Sequence, residues 1–143
     1  MDSLQKIRPK LVRFFSNRQD VAFAYLFGSL ARQKPRPLSD IDLAVYLAQG
    51  VTGKEFFKKR LEILHGLYHA LGTEKIDLIL LNECPVGFAY RILKSGLLIS
   101  ERDPVLRIKF CEKTIGTYLD FYPLVSQRNR IVQKKMAEGS YFD

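Results

Sequence analysis

Cysteine and tryptophan are scarce in this 143-residue chain, which contains two cysteines and no tryptophan. Cys84 and Cys111 stand alone, without the paired spacing of a structural metal site. We therefore expect buried, reduced thiols and no disulfide scaffold. The only histidines, His65 and His69, are four residues apart in a predicted helix. No third ligand accompanies them, which favours exposed neighbours over a zinc site.

Long hydrophobic runs are also absent. No apolar run approaches the roughly 20 residues that a membrane-spanning helix needs, and the sequence Met1–Lys6 lacks a hydrophobic signal core. The apolar fraction of 47% is ample for a packed core and excludes a disordered protein. We expect a soluble, cytoplasmic protein without a membrane partner, forming a single domain over residues 1–143.

Acidic residues are outnumbered: 15 Asp and Glu stand against 23 Lys and Arg, for a net charge of +8. The excess is greatest in residues 1–36, which hold 8 basic and 2 acidic side chains. Such a field attracts triphosphates, nucleic acid or an acidic protein. A solvated basic face explains the same charge, so charge alone does not decide among these partners.

Hydrophobic periodicity predicts an α/β fold, a small mixed sheet backed by helices. The predicted order is helix, strand, strand, helix, strand, helix. Thr52 and Glu55 form a potential capping box, Gly72 a helix stop, and Asp103 the start of a late helix. The predicted elements are helix 4–16, strands 21–27 and 40–47, helix 52–71, strand 74–81, a helix from Pro85 to Ser95, an edge strand 97–99, a helix from Asp103 interrupted at Pro123, and a basic helix Gln127–Met136.

Two short motifs lie ten residues apart. Gly28-Ser29 ends one apolar run, and Asp40 and Asp42 open the next. Residues at i and i+2 of a strand point to one face, so the two carboxylates project together and repel unless cations lie between them. Mg²⁺ prefers such oxygen ligands, and glycine followed by a helix start lets backbone N–H groups approach a phosphate. An ordinary turn followed by capping aspartates is the alternative interpretation.

A third acidic residue, Asp77, interrupts the apolar run from Lys75 to Leu81. A charge in a buried strand is costly unless it is paired, hydrogen-bonded or bound to metal. We expect Asp77 to face away from its neighbours Ile76 and Leu78. The alternative is an edge-strand aspartate paired with Lys75 or Arg91.

The Gly-Ser, ten-residue interval, Asp-x-Asp and later strand aspartate resemble the signature of the DNA polymerase β-like nucleotidyltransferase superfamily. The chain is most similar to its minimal branch, the MNT antitoxins of HEPN–MNT toxin–antitoxin pairs. The core of the resemblance spans about residues 20–100, and a weaker one covers a C-terminal helical segment at about 103–137. It implies a polymerase β-like fold with C-terminal helices.

The resemblance also implies roles for single residues. Gly28 and Ser29 would hold the triphosphate, with Arg32 near the phosphates. Asp40 and Asp42 would bind two Mg²⁺ ions, and Asp77 would bind the catalytic ion and help to deprotonate the attacking hydroxyl. For Arg32, an exposed helix residue is the alternative.

The implied reaction is transfer of AMP from ATP to a tyrosine of a HEPN RNase toxin, within a hetero-complex or homo-oligomer and without direct nucleic-acid binding. Two alternatives stay open. One is a binding module that neutralises the toxin by contact alone, and the other is transfer to a small molecule or an RNA end.

Several other side chains have two interpretations. Arg91 and Lys94 could reach phosphate or form a solvated helix face. An aromatic stripe could be core or a partner site. The predicted apolar side of the third helix is the largest set. The stripe comprises Phe110, Tyr118, Phe121 and Tyr122, and the apolar side comprises Phe56, Phe57, Leu61, Leu64, Leu67, Tyr68 and Leu71.

Overall fold

The computed structural model of the chain describes residues 4–32 and 40–121. Its helices and strands follow closely the order that the sequence predicts. They are α1 (Leu4–Ser16), β1 (Val21–Phe27), α2 (Gly28–Ala31), β2 (Ile41–Leu47), α3 (Phe56–Leu71), β3 (Ile76–Leu80), α4 (Val86–Ser95), β4 (Leu97–Glu101) and α5 (Pro104–Asp120). Single 3-10 turns, Gly53–Glu55 and Leu81–Glu83, precede α3 and α4.

The four strands form one sheet in the order β3–β2–β1–β4. β1 runs antiparallel to both β2 and β4, whereas β2 and β3 are parallel and joined by α3. A parallel pair needs such a crossover, because its strands start at the same end of the sheet. The predicted mixed sheet backed by helices is confirmed, including β4 at its edge.

Local signals in the sequence fix several element ends. The Glu55 carboxylate accepts hydrogen bonds from the Thr52 amide at 3.2 Å and the Thr52 hydroxyl at 3.0 Å. Gly72 ends α3 in the left-handed region, with φ of 68°. The Asp103 side chain caps α5 by accepting from the Leu106 amide at 3.1 Å. These starts and stops agree with the predicted capping box, helix stop and helix start.

Helices cover both faces of the sheet. α1 and α3 pack on one face, around fully buried Phe15, Leu26 and Leu67. α4 and α5 pack on the other, around Phe23 and Ile92. None of the helices in the described ranges is long and apolar enough to cross a membrane.

The predicted apolar side of α3 is partly wrong. Leu67 is buried as predicted, but Phe57 is 72% exposed and Leu61 46% exposed. Ile63, absent from the predicted side, is fully buried. Because Ile63 and Leu67 lie one turn apart, they define the stripe that meets the sheet. At 100° per residue, Phe57 and Leu61 lie roughly 80–160° around the helix from these two positions.

Two further predictions need correction or fall outside the described residues. Cys84 and Cys111 are free thiols, as predicted, but both are only half-buried. The predicted break at Pro123, the helix Gln127–Met136 and Tyr122 lie outside the described ranges.

Candidate active site

Two of the predicted acidic residues lie side by side on neighbouring strands. Asp42 is the direct partner of Asp77 in the parallel β2–β3 ladder, and Phe27 is the partner of Asp42 in the antiparallel β1–β2 ladder. Directly paired residues project from the same face of a sheet. Since Ala44 and Ile79 follow at alternate positions and pack with the α4 layer, Asp42 and Asp77 lie on the α4 side of the sheet.

Gly28 lies against this carboxylate pair. Its backbone is left-handed, with φ of 79°, a conformation that favours glycine. A Cβ atom at this position would lie 3.0 Å from Asp42 Cγ and closer still to Oδ2. Glycine is therefore required both for the turn after β1 and for the approach of that turn to Asp42. Ser29 follows in the first turn of α2 and is half-buried.

The electrostatics of the cluster are unfavourable to the charged form of Asp42. Partial burial raises the pKa of this carboxyl, and the negative charges of Asp77 and Asp40 raise it further. The charge of Arg32 acts in the opposite direction. Asp40, Asp77 and Arg32 therefore all lie close enough to Asp42 to act on its ionisation.

The environment of Asp77 corrects one expectation. β3 is an edge strand, and Asp77 is exposed, although its neighbours Ile76 and Leu78 are buried. It faces away from both, as predicted, but it does not bear the penalty of a buried charge. Among the described residues it forms no ion pair with Lys75 or Arg91.

The acidic cluster offers a divalent cation only oxygen donors. Within residues 4–32 and 40–121, no three His, Cys, Asp or Glu side chains converge tightly enough to form a metal centre as they stand. The donor chemistry nevertheless fits Mg²⁺, which prefers oxygen ligands. The neighbouring carboxylates repel the charged form of Asp42 and so raise its pKa. A cation bound between these carboxylates would relieve the repulsion and stabilise them as anions. Both cluster partners of Asp42 are exposed, so they can adjust to an ion.

A pocket of about 200 Å³ opens beside Gly28, between the β1–α2 turn and α4. The Phe27 and Phe88 rings form an apolar wall, packed edge to face with centroids 5.9 Å apart. Arg32 and Arg91 line the same pocket, and none of the described residues that line it is acidic. The site therefore combines an acidic cluster, formed by Asp42 on β2, Asp77 on β3 and nearby Asp40, with a basic, aromatic pocket beside Gly28.

Sequence reasoning missed the part of this pocket formed by aromatic side chains. The sequence motifs assign no role to Phe88, although its spacing of three residues from Arg91 places both on one side of the predicted helix. In the structure the Arg91 guanidinium carbon lies 5.5 Å from the centroid of the Phe88 ring. The sequence did mark Arg91, as one of two residues able to reach phosphate.

The other marked side chains lie away from this site. His65 and His69 are exposed neighbours with ring centroids 4.8 Å apart, as predicted. The aromatic stripe divides: Phe110 packs in the α4–α5 layer and Tyr118 stacks on Tyr90 with centroids 3.9 Å apart, whereas Phe121 is exposed. Core is thus the correct interpretation for Phe110, whereas Tyr118 is half-buried and belongs to neither core cluster.

The family model for polymerase beta nucleotidyltransferases matches residues 9–105, a range that contains the sheet, the Gly28 turn and the acidic cluster. The chain belongs to this family of nucleotidyltransferases. No curated protein matches the chain in sequence.

Solved structures similar to this chain come from toxin–antitoxin complexes. A toxin–antitoxin complex with AMP-PNP contains a chain 25% identical, with a TM-score of 0.65 over 90% of this chain and 98% of that one. A mutant MntA toxin–antitoxin complex gives 26% identity and a TM-score of 0.58 over 92% and 97%. A complex of tri-AMPylated Shewanella oneidensis HEPN toxin with MNT antitoxin contains a chain 24% identical, with a TM-score of 0.60 over 92% of this chain and 98% of that one. The chain is thus a nucleotidyltransferase that resembles MNT antitoxins in its polymerase β-like fold.

Proposed function

We propose that this chain is a Mg²⁺-dependent adenylyltransferase that transfers AMP from ATP to a tyrosine hydroxyl of a HEPN-family toxin. The observation that carries the proposal is the Asp42–Asp77 pair lying against Gly28. The AMP-PNP bound in one similar complex supports ATP as the nucleotide, and the tri-AMPylated toxin in another supports AMP as the transferred group.

The reaction is an in-line displacement at the α-phosphorus of ATP. A new bond forms between the tyrosine oxygen and the α-phosphorus, the bond from that phosphorus to the bridging oxygen breaks, and pyrophosphate leaves. The hydroxyl proton passes to Asp77 or through it to solvent. Asp40, Asp42 and Asp77 would hold Mg²⁺, which supplies charge stabilisation at the attacking and leaving oxygens.

The remaining site residues bind and orient the nucleotide. The Gly28-Ser29 turn presents backbone N–H groups and a hydroxyl to the phosphates, as its close approach to Asp42 allows. Arg32, next in this segment, adds a positive charge that already acts on Asp42. These roles need no base catalyst beyond Asp77, which is exposed to an incoming acceptor.

The proposal is tested by incubating the chain with Mg²⁺, ATP and its HEPN partner and measuring the mass of the partner. We expect AMP adducts on a tyrosine with the wild type and with Asp20→Asn, a matched change remote from the cluster. We expect none with Asp42→Asn, because a lost metal ligand removes several kcal/mol of transition-state stabilisation, roughly a 10³-fold effect or more. Full activity of a folded Asp42→Asn variant would refute the mechanism.

Neutralisation by contact alone is the second candidate function, and the outer face of α5 favours it. Four exposed apolar side chains recur there at helical spacing: Val105, Ile108, Ile115 and Leu119. Such a stripe on one side of a helix is typical of a protein contact surface. The double variant Asp40→Asn/Asp42→Asn distinguishes the two functions in cells that express the toxin. Protection by this variant supports contact, and loss of protection supports catalysis.

A further inference from the structure

The pocket on the α4 side of Gly28 contains a second cationic group for which the family-level roles above do not account. Arg91 lies on α4, outside the β1–α2 turn that carries Gly28 and Arg32, yet both arginines line this one pocket. Neither forms an ion pair with any other described residue. Two guanidinium groups that line one pocket, whose described lining contains no acidic residue, favour an anion carrying more than one charge.

The Arg91 side chain is held in a defined place. Its guanidinium lies over the Phe88 ring at 5.5 Å, and that ring packs edge to face on Phe27 at the end of β1. Stacking on an aromatic ring limits the freedom of a long side chain and keeps its N–H groups available to a ligand. Phe88 therefore positions Arg91 toward the pocket beside Gly28.

The order of the strands gives the site a direction. Asp77 lies on edge strand β3, its partner Asp42 on β2, and Phe27 on β1, so Asp77 and Phe27 flank Asp42 on opposite sides. In an in-line displacement the leaving group lies opposite the attacking oxygen. The side opposite Asp77 is the side of Gly28 and of the pocket that contains Arg91.

We propose that Arg91, positioned by Phe88, binds the β- and γ-phosphates of the nucleotide and thus the pyrophosphate leaving group. This inference rests on the proposed nucleotidyl transfer. It makes Arg91 a second cationic residue of the phosphate site, in the same pocket as Arg32.

The test is equilibrium binding of AMP-PNP to the full chain with Mg²⁺, with AMP measured as a competitor. A charge-assisted phosphate contact corresponds to about 10- to 100-fold in affinity, so Arg91→Ala should weaken AMP-PNP by that factor. AMP, which lacks the β- and γ-phosphates, should be affected less than about twofold. Lys94→Ala is the matched control, because Lys94 is an exposed cation one turn further along α4 that does not line the pocket.

Phe88→Leu and Arg91→Lys complete the design. Phe88→Leu should reproduce part of the loss while leaving the charge in place, and Arg91→Lys should not restore full affinity, because a lysine lacks the planar group that stacks. Unchanged AMP-PNP affinity in Arg91→Ala, or an equal loss for AMP, overturns the inference. A wild type that binds no nucleotide instead overturns the proposed function, so the two failures are distinguishable.

Discussion

Replacing Gly28 with alanine tests whether the turn after β1 must approach the Asp42 carboxylate. The new Cβ would lie 3.0 Å from Asp42 Cγ, on a backbone with φ of 79°. The left-handed conformation destabilises alanine by about 1–2 kcal/mol, and a forced contact adds about 1–3 kcal/mol. We therefore expect the free energy of unfolding to fall by about 2–4 kcal/mol, the two effects overlapping in part. Because a shift of about 1 Å at a reacting site lowers rates about 100-fold, kcat/KM should fall by at least that factor.

Gly50→Ala separates the steric effect from the backbone effect. Gly50 is also left-handed, with φ of 99°, but nothing lies within 4 Å of its added Cβ, and it follows the end of β2 remote from Asp42. We expect a loss of about 1–2 kcal/mol in denaturant titrations and little change in kcat/KM. In the Gly28→Ala background, Asp42→Ala should destabilise less than it does alone, because it removes the clashing carboxylate. Equal effects of Gly28→Ala and Gly50→Ala on stability and rate would refute the reasoning.

Three further predictions concern charge and packing. Burial, followed by two neighbouring aspartates, raises the pKa of Asp42, so its ionisation is harder in the folded chain than in the unfolded one. Without divalent cations, the free energy of unfolding of the wild type, relative to that of Asp42→Asn, should therefore fall as pH rises from 3.8 through the raised pKa. Added Mg²⁺ should raise the melting temperature of the wild type more than that of the variant. Burial raises the pKa of Asp20, but its two basic neighbours outweigh burial and lower that pKa, so Asp20→Asn should destabilise the fold by about 1 kcal/mol above pH 3.8. This destabilisation should vanish as pH falls through the lowered pKa. A stability difference that does not depend on pH would contradict the prediction. Leu67→Ala should lower the free energy of unfolding by about 2–5 kcal/mol, whereas Phe57→Ala, at an exposed position, should change it by less than about 0.5 kcal/mol. Similar losses for the two variants in denaturant titrations would contradict the assignment of the α3 face that meets the sheet.

The elements of the fold were predictable because local signals and the hydrophobic pattern agree along most of the chain. The β1 strand ends at Phe27, where glycine alone can adopt the turn, and α3 ends at Gly72 for the same reason. α5 begins where the Asp103 side chain caps its first turn. Each of these signals acts over fewer than five residues, so no tertiary contact was needed to identify it.

The acidic cluster was predictable in membership but not in environment. Spacing along one strand relates Asp40 to Asp42, but only the parallel pairing of β2 with β3 makes Asp42 and Asp77 partners. Whether Asp77 is buried depends on the position of its strand in the sheet. An apolar run such as β3 is equally compatible with a central strand and with an edge strand, and β3 lies at the edge. The sequence contains no local signal for strand order.

The pocket beside Gly28 depends on packing between distant residues. Phe88 contacts Phe27 only because α4 folds back over the sheet, 61 positions further along the chain. The exposed position of Phe57 has a similar origin, because the sheet selects which stripe of α3 it covers. Periodicity offers several adjacent stripes on an apolar helix, and tertiary packing chooses among them.

Transfer of label from ATP to the proposed HEPN partner tests the central claim most directly. The wild-type chain is incubated with Mg²⁺, the partner and ATP labelled at either the α- or the γ-phosphate, and label on protein is measured. Adenylyl transfer through the Asp42–Asp77 pair predicts label on the partner from the α-phosphate, none from the γ-phosphate, and none from either with Asp42→Asn. Label from the γ-phosphate, or α-label retained by a folded Asp42→Asn variant, would contradict the account.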